Sequence, residues 1–525
     1  MTIRHFLAAG GALGALAFAA PAQAACEDLL SLDVGEGRVT AAETFAAGAF
    51  VEPRAPGAPP PPPGVGAGAY ADVPAFCRLQ VTLTPTPTSD IKSEIWLPIN
   101  GWNGKYVGIG NGIWAGQISR SQMADPLRRG YATASTDTGH TGSGMDATWA
   151  IGMPEKLVDF GHRAVHLTTL AAKAAVEEFY GRAPELSLWN SCSTGGRQGL
   201  MAAYRYPEDF DAISAMAPAN PMTDLMTQTM WQGSQPSRFG AQLTPQALGL
   251  VHAAVVRQCD AGDGVTDGLV GNPLSCRFDV ATLQCRPGQT EGCLAAPQVS
   301  AMQNIYGGTR GADGTLLLPG WPYGSEMQLA ALVMGAEPFP VATSYFRDLV
   351  YAGRSDWDWR TMDYAREVVA AREYGADILN VPADGMGAFF ARGGKLLLSH
   401  GWGDGLIPAT NTIGFHHGLF NALPRAQADS QLRLFMAPGM DHCGGGEGPS
   451  VIDTLGVIDE WATTGVAPMR VLASRPASAG GGMPGQPPAP PRTPMERPLC
   501  AWPMQPVYDG SGDTNVAASF SCKVV

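Results

Sequence analysis

The sequence predicts an α/β fold, in which helices cover both faces of a mostly parallel sheet and one large insertion interrupts it. Short apolar runs that end in glycine-rich loops alternate with segments of helical periodicity, as in parallel sheets with helical crossovers. A chain of 525 residues also exceeds what one hydrophobic core usually holds. We therefore expect a sheet domain in two parts, residues 25–220 and 391–525, separated by a lid domain at residues 221–390.

The first 24 residues have the features of a secretory signal. Arg4 supplies a positive charge, an apolar run extends from Phe6 to Ala20, and Ala-Gln-Ala follows. Cleavage is expected after Ala24 or Ala25, and the apolar run is too short for a good membrane anchor. These features predict a secreted or periplasmic protein with no membrane span.

The strand-like runs follow one another along the chain. "RLQVTLTPTPTSDIKSEIWLPING" alternates apolar and polar residues on either side of a turn, which predicts two antiparallel strands. Helical periodicity from Arg163 to Tyr180 ends at Gly181. Further strands that run into loops or helices are predicted at "GKYVGIGNG", "GYATASTDTGH", "ELSLWN", "DAISAMAP", "GGKLLLSHGWGD" and "LRLFMAPGMDHC". Ligands of such sheets bind at the carboxyl ends of the strands, so site residues are expected in these loops.

The insertion differs from the rest of the chain in composition. It is rich in Gly, Pro and Trp, and it holds four of the ten cysteines. An even number of cysteines in an exported chain indicates disulfide bonds. Zinc is a weaker alternative, because the sequence contains no Cys-x-x-Cys pair.

Ser193 in "LWNSCSTGGRQGL" is the candidate nucleophile. A predicted strand, a sharp turn and a predicted helix surround it, which is the geometry of a nucleophile elbow. In that geometry the backbone N–H of Thr194 faces a developing oxyanion. The match to Gly-x-Ser-x-Gly is imperfect, since Ser191 stands in place of the first glycine. An ordinary glycine-rich connection between a strand and a helix is the structural alternative.

The candidate acid and base follow two later strands. Asp404 comes after "KLLLSHGWGD" and His442 after "LRLFMAPGMDHC", so the order is Ser, Asp, His. This is the order of α/β-hydrolases, in which the base takes the serine proton and the acid orients the base. His400 and Asp441 lie close by in sequence and compete for these roles or for structural hydrogen bonding.

A cysteine stands beside the nucleophile and another beside the base. If Ser193 and His442 form a hydrogen bond, Cys192 and Cys443 must also approach each other. That approach permits the Cα separation of roughly 4.4 to 6.8 Å that a disulfide needs. Such a bond would join the nucleophile loop to the base loop. Two unrelated buried thiols are the alternative.

With these residues placed, the sequence resembles the tannase and feruloyl esterase family, which includes bacterial MHET hydrolase. The matching motif is Cys192-Ser193, Asp404 and His442-Cys443. The resemblance extends from about Cys26 to Cys522 and includes "STDTGH", "YPEDFDAI", "CDAGDGVTDGL", "GWGDGLIP" and "RPLCAWPMQPVYDGSGDTNVAASFSC". It implies an α/β-hydrolase fold with a large inserted lid domain. It also implies the disulfides Cys26–Cys77, Cys192–Cys443, Cys259–Cys276, Cys285–Cys293 and Cys500–Cys522.

The second half of the oxyanion hole is expected in the loop "GIGNGIWAG". Gly110, Asn111 and Gly112 are the candidates, because glycine lets backbone N–H groups approach a substrate. An ordinary tight turn is the alternative. The resemblance places His140 at the substrate pocket, whereas the residues alone favour a structural histidine.

The loop "CDAGDGVTDGL" is a candidate calcium site. Carboxylate oxygens on a flexible glycine-containing loop suit Ca²⁺, although the ligand spacing is not that of an EF-hand. The resemblance implies ligation by Asp260, Asp263 and Asp267 and by the backbone carbonyls of Val265 and Leu269. The expected role is structural, and an acidic turn without metal is the alternative.

These observations predict a secreted serine carboxylesterase, and the family resemblance implies that it acts on aromatic or phenolic esters of the feruloyl or galloyl type. It would form an acyl-enzyme on Ser193, and its partner is a small-molecule ester. A net charge of −13 argues against nucleic acid as a partner. Four lid aromatics suit an aromatic acyl group or a lid core equally well: Trp321, Tyr323, Trp357 and Trp359. The alternatives are hydrolysis of other aromatic monoesters such as MHET, or an inactive calcium-stabilised extracellular binding protein.

Overall fold

The computed structural model describes residues 24–53, 68–142, 144–478 and 491–524. The predicted secretory signal at residues 1–24 therefore lies outside the described residues, except for Ala24. Within the described ranges, no helix combines the length and the apolar character needed to cross a bilayer.

Nine strands form one mixed sheet, and six further strands form three two-stranded ribbons. In chain order the strands are β1 (Gly37–Phe45), β2 (Phe76–Leu83), β3 (Ile91–Pro98), β4 (Lys105–Gly108), β5 (Ala132–Thr136), β6 (Leu186–Cys192), β7 (Ala212–Met216), β8 (Thr309–Arg310), β9 (Leu316–Leu318), β10 (Lys395–Gly401), β11 (Leu432–Ala437), β12 (Arg470–Arg475), β13 (Met495–Cys500), β14 (Gln505–Tyr508) and β15 (Phe520–Lys523).

The large sheet has the order β1-β2-β3-β5-β4-β6-β7-β10-β11. β1, β2, β3 and β5 pair antiparallel, whereas every pairing from β5 to β11 is parallel. The predicted antiparallel pair around the Pro/Thr turn is β2 and β3. β10 is buried along almost its whole length, as expected for a parallel strand with both faces covered. The predicted α/β-hydrolase fold is confirmed.

Fourteen α-helices are present in the described ranges. They are α1 (Arg120–Arg128), α2 (Pro154–Val158), α3 (Ala164–Tyr180), α4 (Thr194–Arg205), α5 (Met222–Phe239), α6 (Pro245–Cys259), α7 (Ala296–Gly307), α8 (Glu326–Val333), α9 (Pro340–Ser344), α10 (Tyr364–Leu379), α11 (Gly387–Ala391), α12 (Ala409–Ala422), α13 (Arg425–Gln431) and α14 (Thr454–Thr464). α3 matches the predicted helix and ends at Gly181, which has a left-handed φ of 71°.

The insertion lies between the end of β7 and the start of β10 and carries α5 to α11. α6, α7 and α8 share an apolar core that includes Leu248, Val251, Ile305 and Leu329. A second cluster joins Tyr345 and Phe346 of the insertion to Trp114 and Phe160 of the sheet domain. The insertion therefore has a core of its own and an apolar contact with the sheet domain, while the lid bounds 221–390 stay a prediction.

The ten cysteines form five disulfide bonds, with the pairing that the family resemblance implies. Two of these bonds, Cys259–Cys276 and Cys285–Cys293, lie within the insertion. Cys26–Cys77 joins the N-terminal segment to β2, and Cys500–Cys522 joins β13 to β15.

Candidate active site

Ser193 lies at a sharp turn between β6 and α4. Its φ of 64° and ψ of −128° are a conformation that non-glycine residues rarely adopt and that is typical of a strained elbow. A Cβ at Gly195 would lie 2.1 Å from Ser191 Oγ, and a Cβ at Gly196 would lie 2.8 Å from the Met216 carbonyl oxygen. The two glycines therefore let the helix start against the strand. Gly195 also makes room for Ser191, the residue that stands in place of the first glycine of Gly-x-Ser-x-Gly.

The three predicted triad residues lie in one hydrogen-bonded chain. Ser193 Oγ is 2.9 Å from His442 Nε2, and His442 Nδ1 is 2.7 Å from Asp404 Oδ2. Asp404 is fully buried, whereas Ser193 and His442 are partly accessible. This is the geometry in which a neutral imidazole takes the serine proton and a buried carboxylate orients the imidazole.

The Asp404 carboxylate has a partner for each of its oxygens. Oδ1 accepts the backbone N–H groups of Leu406 and Ile407 at 2.9 and 2.8 Å. Oδ2 is shared by His442 and His400, at 2.7 and 3.0 Å. Burial opposes ionisation, but the two histidines outweigh it and hold the pKa of Asp404 well below its usual value. The acid is therefore an anion throughout the range in which His442 titrates.

His400 and Asp441, the competing candidates, make no hydrogen bond to the Ser193 hydroxyl within the described residues, whereas His442 does. His400 is fully buried and contacts Asp404 and, through Nδ1, Thr412 Oγ1 at 2.8 Å. Burial and the neighbouring carboxylate of Asp404 raise the pKa of Asp441 to about 6. His400 thus contacts the candidate acid but not the candidate nucleophile, which favours a structural role over that of the base.

The pH profile of ester hydrolysis should have an acidic limb with a midpoint above the ordinary histidine value of 6.5. Burial disfavours the imidazolium, but the adjacent Asp404 carboxylate outweighs burial and raises the pKa of His442. Only neutral His442 accepts a proton, so activity rises as pH increases through that pKa. The profile of kcat/KM between pH 5 and 9 measures the midpoint, and a midpoint below 6.5 contradicts the assignment of the base.

The predicted oxyanion residues differ in whether their backbone N–H groups already have a protein acceptor. The Asn111 N–H donates to Gln198 Oε1 at 3.1 Å, so the expectation that Asn111 is an oxyanion donor is not supported. Its side chain accepts from Gln198 Nε2 at 2.8 Å and donates to the Ala115 carbonyl at 2.9 Å. Asn111 therefore stabilises the glycine loop through hydrogen bonds to Gln198 and Ala115 in the protein interior.

Thr194 and Gly112 remain well placed as donors. Thr194 is the first residue of α4, where backbone N–H groups have no partner within the helix. Thr194 Oγ1 donates to the Ile113 carbonyl at 3.1 Å, which ties the elbow to the glycine loop. Its two chain neighbours aside, a Cβ at Gly112 would lie more than 4 Å from every atom of the other described residues, whereas one at Gly110 would lie 2.5 Å from Gln198 Oε1. Gly112 therefore has free space beside it, whereas Gly110 packs against the protein interior.

His140 is held by protein contacts. Its Nε2 donates to the Trp114 carbonyl at 2.7 Å, and its ring stacks on Trp149 with centroids 3.7 Å apart. The side chain is buried. These contacts favour the structural interpretation of His140, in which its hydrogen bond to Trp114 stabilises the glycine loop.

The predicted disulfide between the nucleophile and base loops is present. Cys192 and Cys443 have Cα atoms 5.9 Å apart and close a loop of 251 residues. Cys443 has a positive φ of 63°, so the residue after the base is held in an unusual conformation. The bond lies one residue from Ser193 on one side and one residue from His442 on the other.

The acidic lid loop carries the predicted calcium ligands. Asp260 and Asp263 are buried, and of the three aspartates only Asp267 is ion-paired within the described residues, to Arg497. Asp260 accepts the N–H groups of Asp267 and Gly268 at 3.0 and 2.9 Å. Buried hard carboxylates with incomplete charge compensation fit a cation such as Ca²⁺.

The carboxylates do not converge on one point. We considered groups of three or more His, Cys, Asp or Glu side chains whose ligand atoms all lie within 4.8 Å of one another. Over the described ranges there is one such group, and it consists of Cys192, His442 and Cys443. Because those two cysteines are joined in a disulfide, this group is not a metal site. Ca²⁺ binding at the aspartates would therefore draw their oxygens closer together.

The four lid aromatics have partners within the lid. Trp321 is buried in the core of α6 to α8, and Tyr323 donates to the Phe278 carbonyl at 2.9 Å. Trp359 donates to Glu337, and Trp357 stacks on Phe346 with centroids 6.5 Å apart. These contacts favour the lid-core interpretation over contact with an acyl group.

The sheet order, the elbow and the Ser193–His442–Asp404 chain define a serine hydrolase of the α/β-hydrolase class. The family model described as tannase and feruloyl esterase matches residues 77–523, so the chain belongs to the tannase and feruloyl esterase family. It is a serine carboxylesterase.

Two curated relatives match most of the chain. An uncharacterized esterase of Xanthomonas campestris pv. campestris is 32% identical and covers 99% of this chain and 95% of its own length. A probable feruloyl esterase B of Aspergillus clavatus is 30% identical, over 85% of this chain and 86% of its own.

Solved structures agree with the fold. Feruloyl esterase B from Aspergillus oryzae superimposes with a TM-score of 0.82 and 26% identity, covering 95% of this chain and 99% of its own. A tannin acyl hydrolase from Aspergillus niger reaches a TM-score of 0.75 at 19% identity, over 95% of this chain and 94% of its own, which shows the shared fold alone.

Proposed function

We propose that this carboxylesterase is exported and hydrolyses aromatic or phenolic esters of the feruloyl or galloyl type through an acyl-enzyme on Ser193. The observation that carries the proposal is the hydrogen-bonded chain from Ser193 through His442 to buried Asp404. The feruloyl esterases among its relatives support the aromatic acyl group. Hydrolysis of other aromatic monoesters, such as MHET, uses the same residues.

The first half of the reaction forms the acyl-enzyme. Ser193 Oγ transfers its proton to His442 Nε2 as the oxygen attacks the ester carbonyl carbon. The carbonyl oxygen becomes an oxyanion, for which the N–H groups of Thr194 and Gly112 are the proposed donors. When the tetrahedral intermediate collapses, His442 returns the proton to the leaving alcohol oxygen.

The second half releases the acid. Water attacks the acyl carbon and gives a proton to His442, and a second tetrahedral intermediate forms on the same donors. Its collapse breaks the bond to Ser193 Oγ, which regains the proton from His442. Asp404 keeps its negative charge throughout and stabilises the imidazolium in both halves.

Covalent labelling and a substrate panel test this function. A fluorophosphonate should label Ser193 in the wild-type protein, because only an activated serine reacts. Methyl ferulate, methyl gallate and a terephthalate monoester then separate the acyl groups, and we expect the highest kcat/KM on ferulate or gallate. Higher activity on terephthalate favours the MHET alternative, and an unlabelled protein favours the inactive binding protein.

Export is proposed from two features. All ten cysteines form disulfides, which persist in oxidising compartments, and residues 1–24 have the composition of a secretory signal. N-terminal sequencing of the mature protein should begin at Ala25 or Cys26. An intact Met1 in the mature protein contradicts export through this signal.

We also propose that Ca²⁺ binds Asp260, Asp263 and Asp267 and the carbonyls of Val265 and Leu269. The ion would neutralise carboxylates and fix the lid loop, with no part in the reaction.

Removing Ca²⁺ should lower the melting temperature by several degrees. A ligand that binds only the folded state stabilises it by about 2.7 kcal/mol at a hundred times its Kd. Calorimetry with and without chelator measures the change, and elemental analysis counts the bound ion. Asp263→Asn should abolish the effect of chelator, whereas Asp313→Asn, in an exposed turn of the same lid, should leave it unchanged. An unchanged melting curve after confirmed metal removal rejects the site.

A further inference from the structure

One helix of the lid rests directly on the loop that carries the acid. A Cβ at Gly405, the residue after Asp404, would lie 2.4 Å from the backbone nitrogen of Leu329 and 2.6 Å from the carbonyl carbon of Gln328. Both residues belong to α8. The absence of a side chain at Gly405 is what lets the lid helix reach the acid loop at this distance.

At that contact, a single side-chain oxygen from the lid holds both catalytic loops. Gln328 Oε1 accepts the backbone N–H of Gly405 at 2.8 Å and the backbone N–H of His442 at 3.0 Å. Gly405 follows the acid, and His442 is itself the base. A carbonyl oxygen has two lone pairs, so one amide oxygen satisfies both donors.

The helix that carries Gln328 is fixed by its own contacts. Glu326 is fully buried at the start of α8, and its carboxylate contacts Tyr306 Oη at 2.7 Å and His252 Nδ1 at 2.8 Å. His252 Nε2 is in turn 3.0 Å from Glu447, which lies on the base loop. The lid therefore holds the base loop at two points, one through Gln328 and one through His252.

We propose that Gln328 is a positioning residue, which sets the separation of Asp404 and His442 from the lid side. The proposal rests on the proposed function. Without the amide oxygen, two partly buried N–H groups lose their acceptor, and both loops are free to move by fractions of an ångström. Misplacement near 1 Å at a reacting centre costs about a hundredfold in rate. The lid thereby takes part in the assembly of the triad.

Two substitutions at this position separate positioning from bulk stability. Gln328→Met keeps the length of the side chain and removes the acceptor. We expect kcat to fall by about tenfold to a hundredfold while KM changes by less than about threefold. The rate of fluorophosphonate labelling of Ser193 should fall in the same proportion, since it depends on the same proton transfer.

Gln328→Glu keeps the acceptor and adds a carboxylate beside the base loop. This variant should retain most of kcat, and the acidic limb of its pH profile should move to higher pH, because a nearby anion stabilises the imidazolium. Gln303→Met, on the exposed side of α7, is the matched control and should leave kcat and the pH profile unchanged.

The kinetics of the two Gln328 variants decide whether Gln328 positions the catalytic loops. A folded Gln328→Met protein with wild-type kcat overturns the proposal, and so does an equal loss of kcat in the Glu and Met variants. If the Met variant does not fold, the Glu variant decides through its retained kcat and its shifted acidic limb. Failure of the wild-type protein to label at Ser193 rejects the proposed function, whereas a labelled wild type with an unaffected Met variant rejects this inference alone.

Discussion

Replacement of Ser193 by Ala should lower kcat for ester hydrolysis by at least about a thousandfold. The substitution removes the oxygen that attacks the ester carbonyl, while His442 and Asp404 keep their own hydrogen bond of 2.7 Å. The residual rate enhancement comes from the oxyanion donors and from substrate binding. Steady-state kinetics on a purified sample measure the loss, and labelling by fluorophosphonate should disappear.

The folded state should survive this change. Ala is smaller than Ser, and the Ser193 hydroxyl contacts a partly accessible histidine rather than the core. Ser214→Ala in the neighbouring strand β7 is the control, because its hydroxyl is buried without a hydrogen-bond partner among the described residues. The control should keep full turnover. A pure Ser193→Ala protein that turns over ester at a near-normal rate is incompatible with Ser193 as the nucleophile.

The positions of the candidate nucleophile, acid and base in one hydrogen-bonded chain were predictable because each residue depends on a local pattern. Ser193, Asp404 and His442 each follow a recognisable apolar strand, and parallel strands bring their carboxyl ends to one edge of the sheet. The Cys192–Cys443 bond followed from the same geometry, since neighbours of touching residues must approach. Family resemblance supplied the four other disulfides, which spacing cannot provide.

The supporting contacts were not predictable from sequence. Gln328 meets His442 across 114 residues of chain, and Gln198 meets Asn111 across 87. Glutamine is common on helices and carries no pattern that distinguishes these two from the others. Asn111 was expected as a donor because of its glycine neighbours, but the direction of its N–H depends on the position of α4. The lid aromatics were ambiguous for the same reason, as burial in a core and contact with a ligand need the same residue types.

Changing Cys192 and Cys443 together to Ala should lower both stability and turnover. In the chain-entropy model a bond that closes about 250 residues contributes roughly 5 kcal/mol to the free energy of unfolding. The loss of turnover has a separate cause. This bond joins the residue before the nucleophile to the residue after the base, so its removal frees the two loops to shift relative to each other. A shift near 1 Å between reacting groups costs about a hundredfold in kcat.

The Cys285–Cys293 pair separates these two effects, because its bridge spans 8 residues within the lid. By the same model it contributes about half as much stability, and its removal should leave turnover unchanged. Rates are compared well below the melting temperature of each variant, so that unfolding does not contribute. If the Cys192/Cys443 variant keeps full turnover there while its melting temperature falls, the bond acts on stability alone. A large loss of kcat at a temperature where the variant is folded shows that the disulfide holds Ser193 against His442.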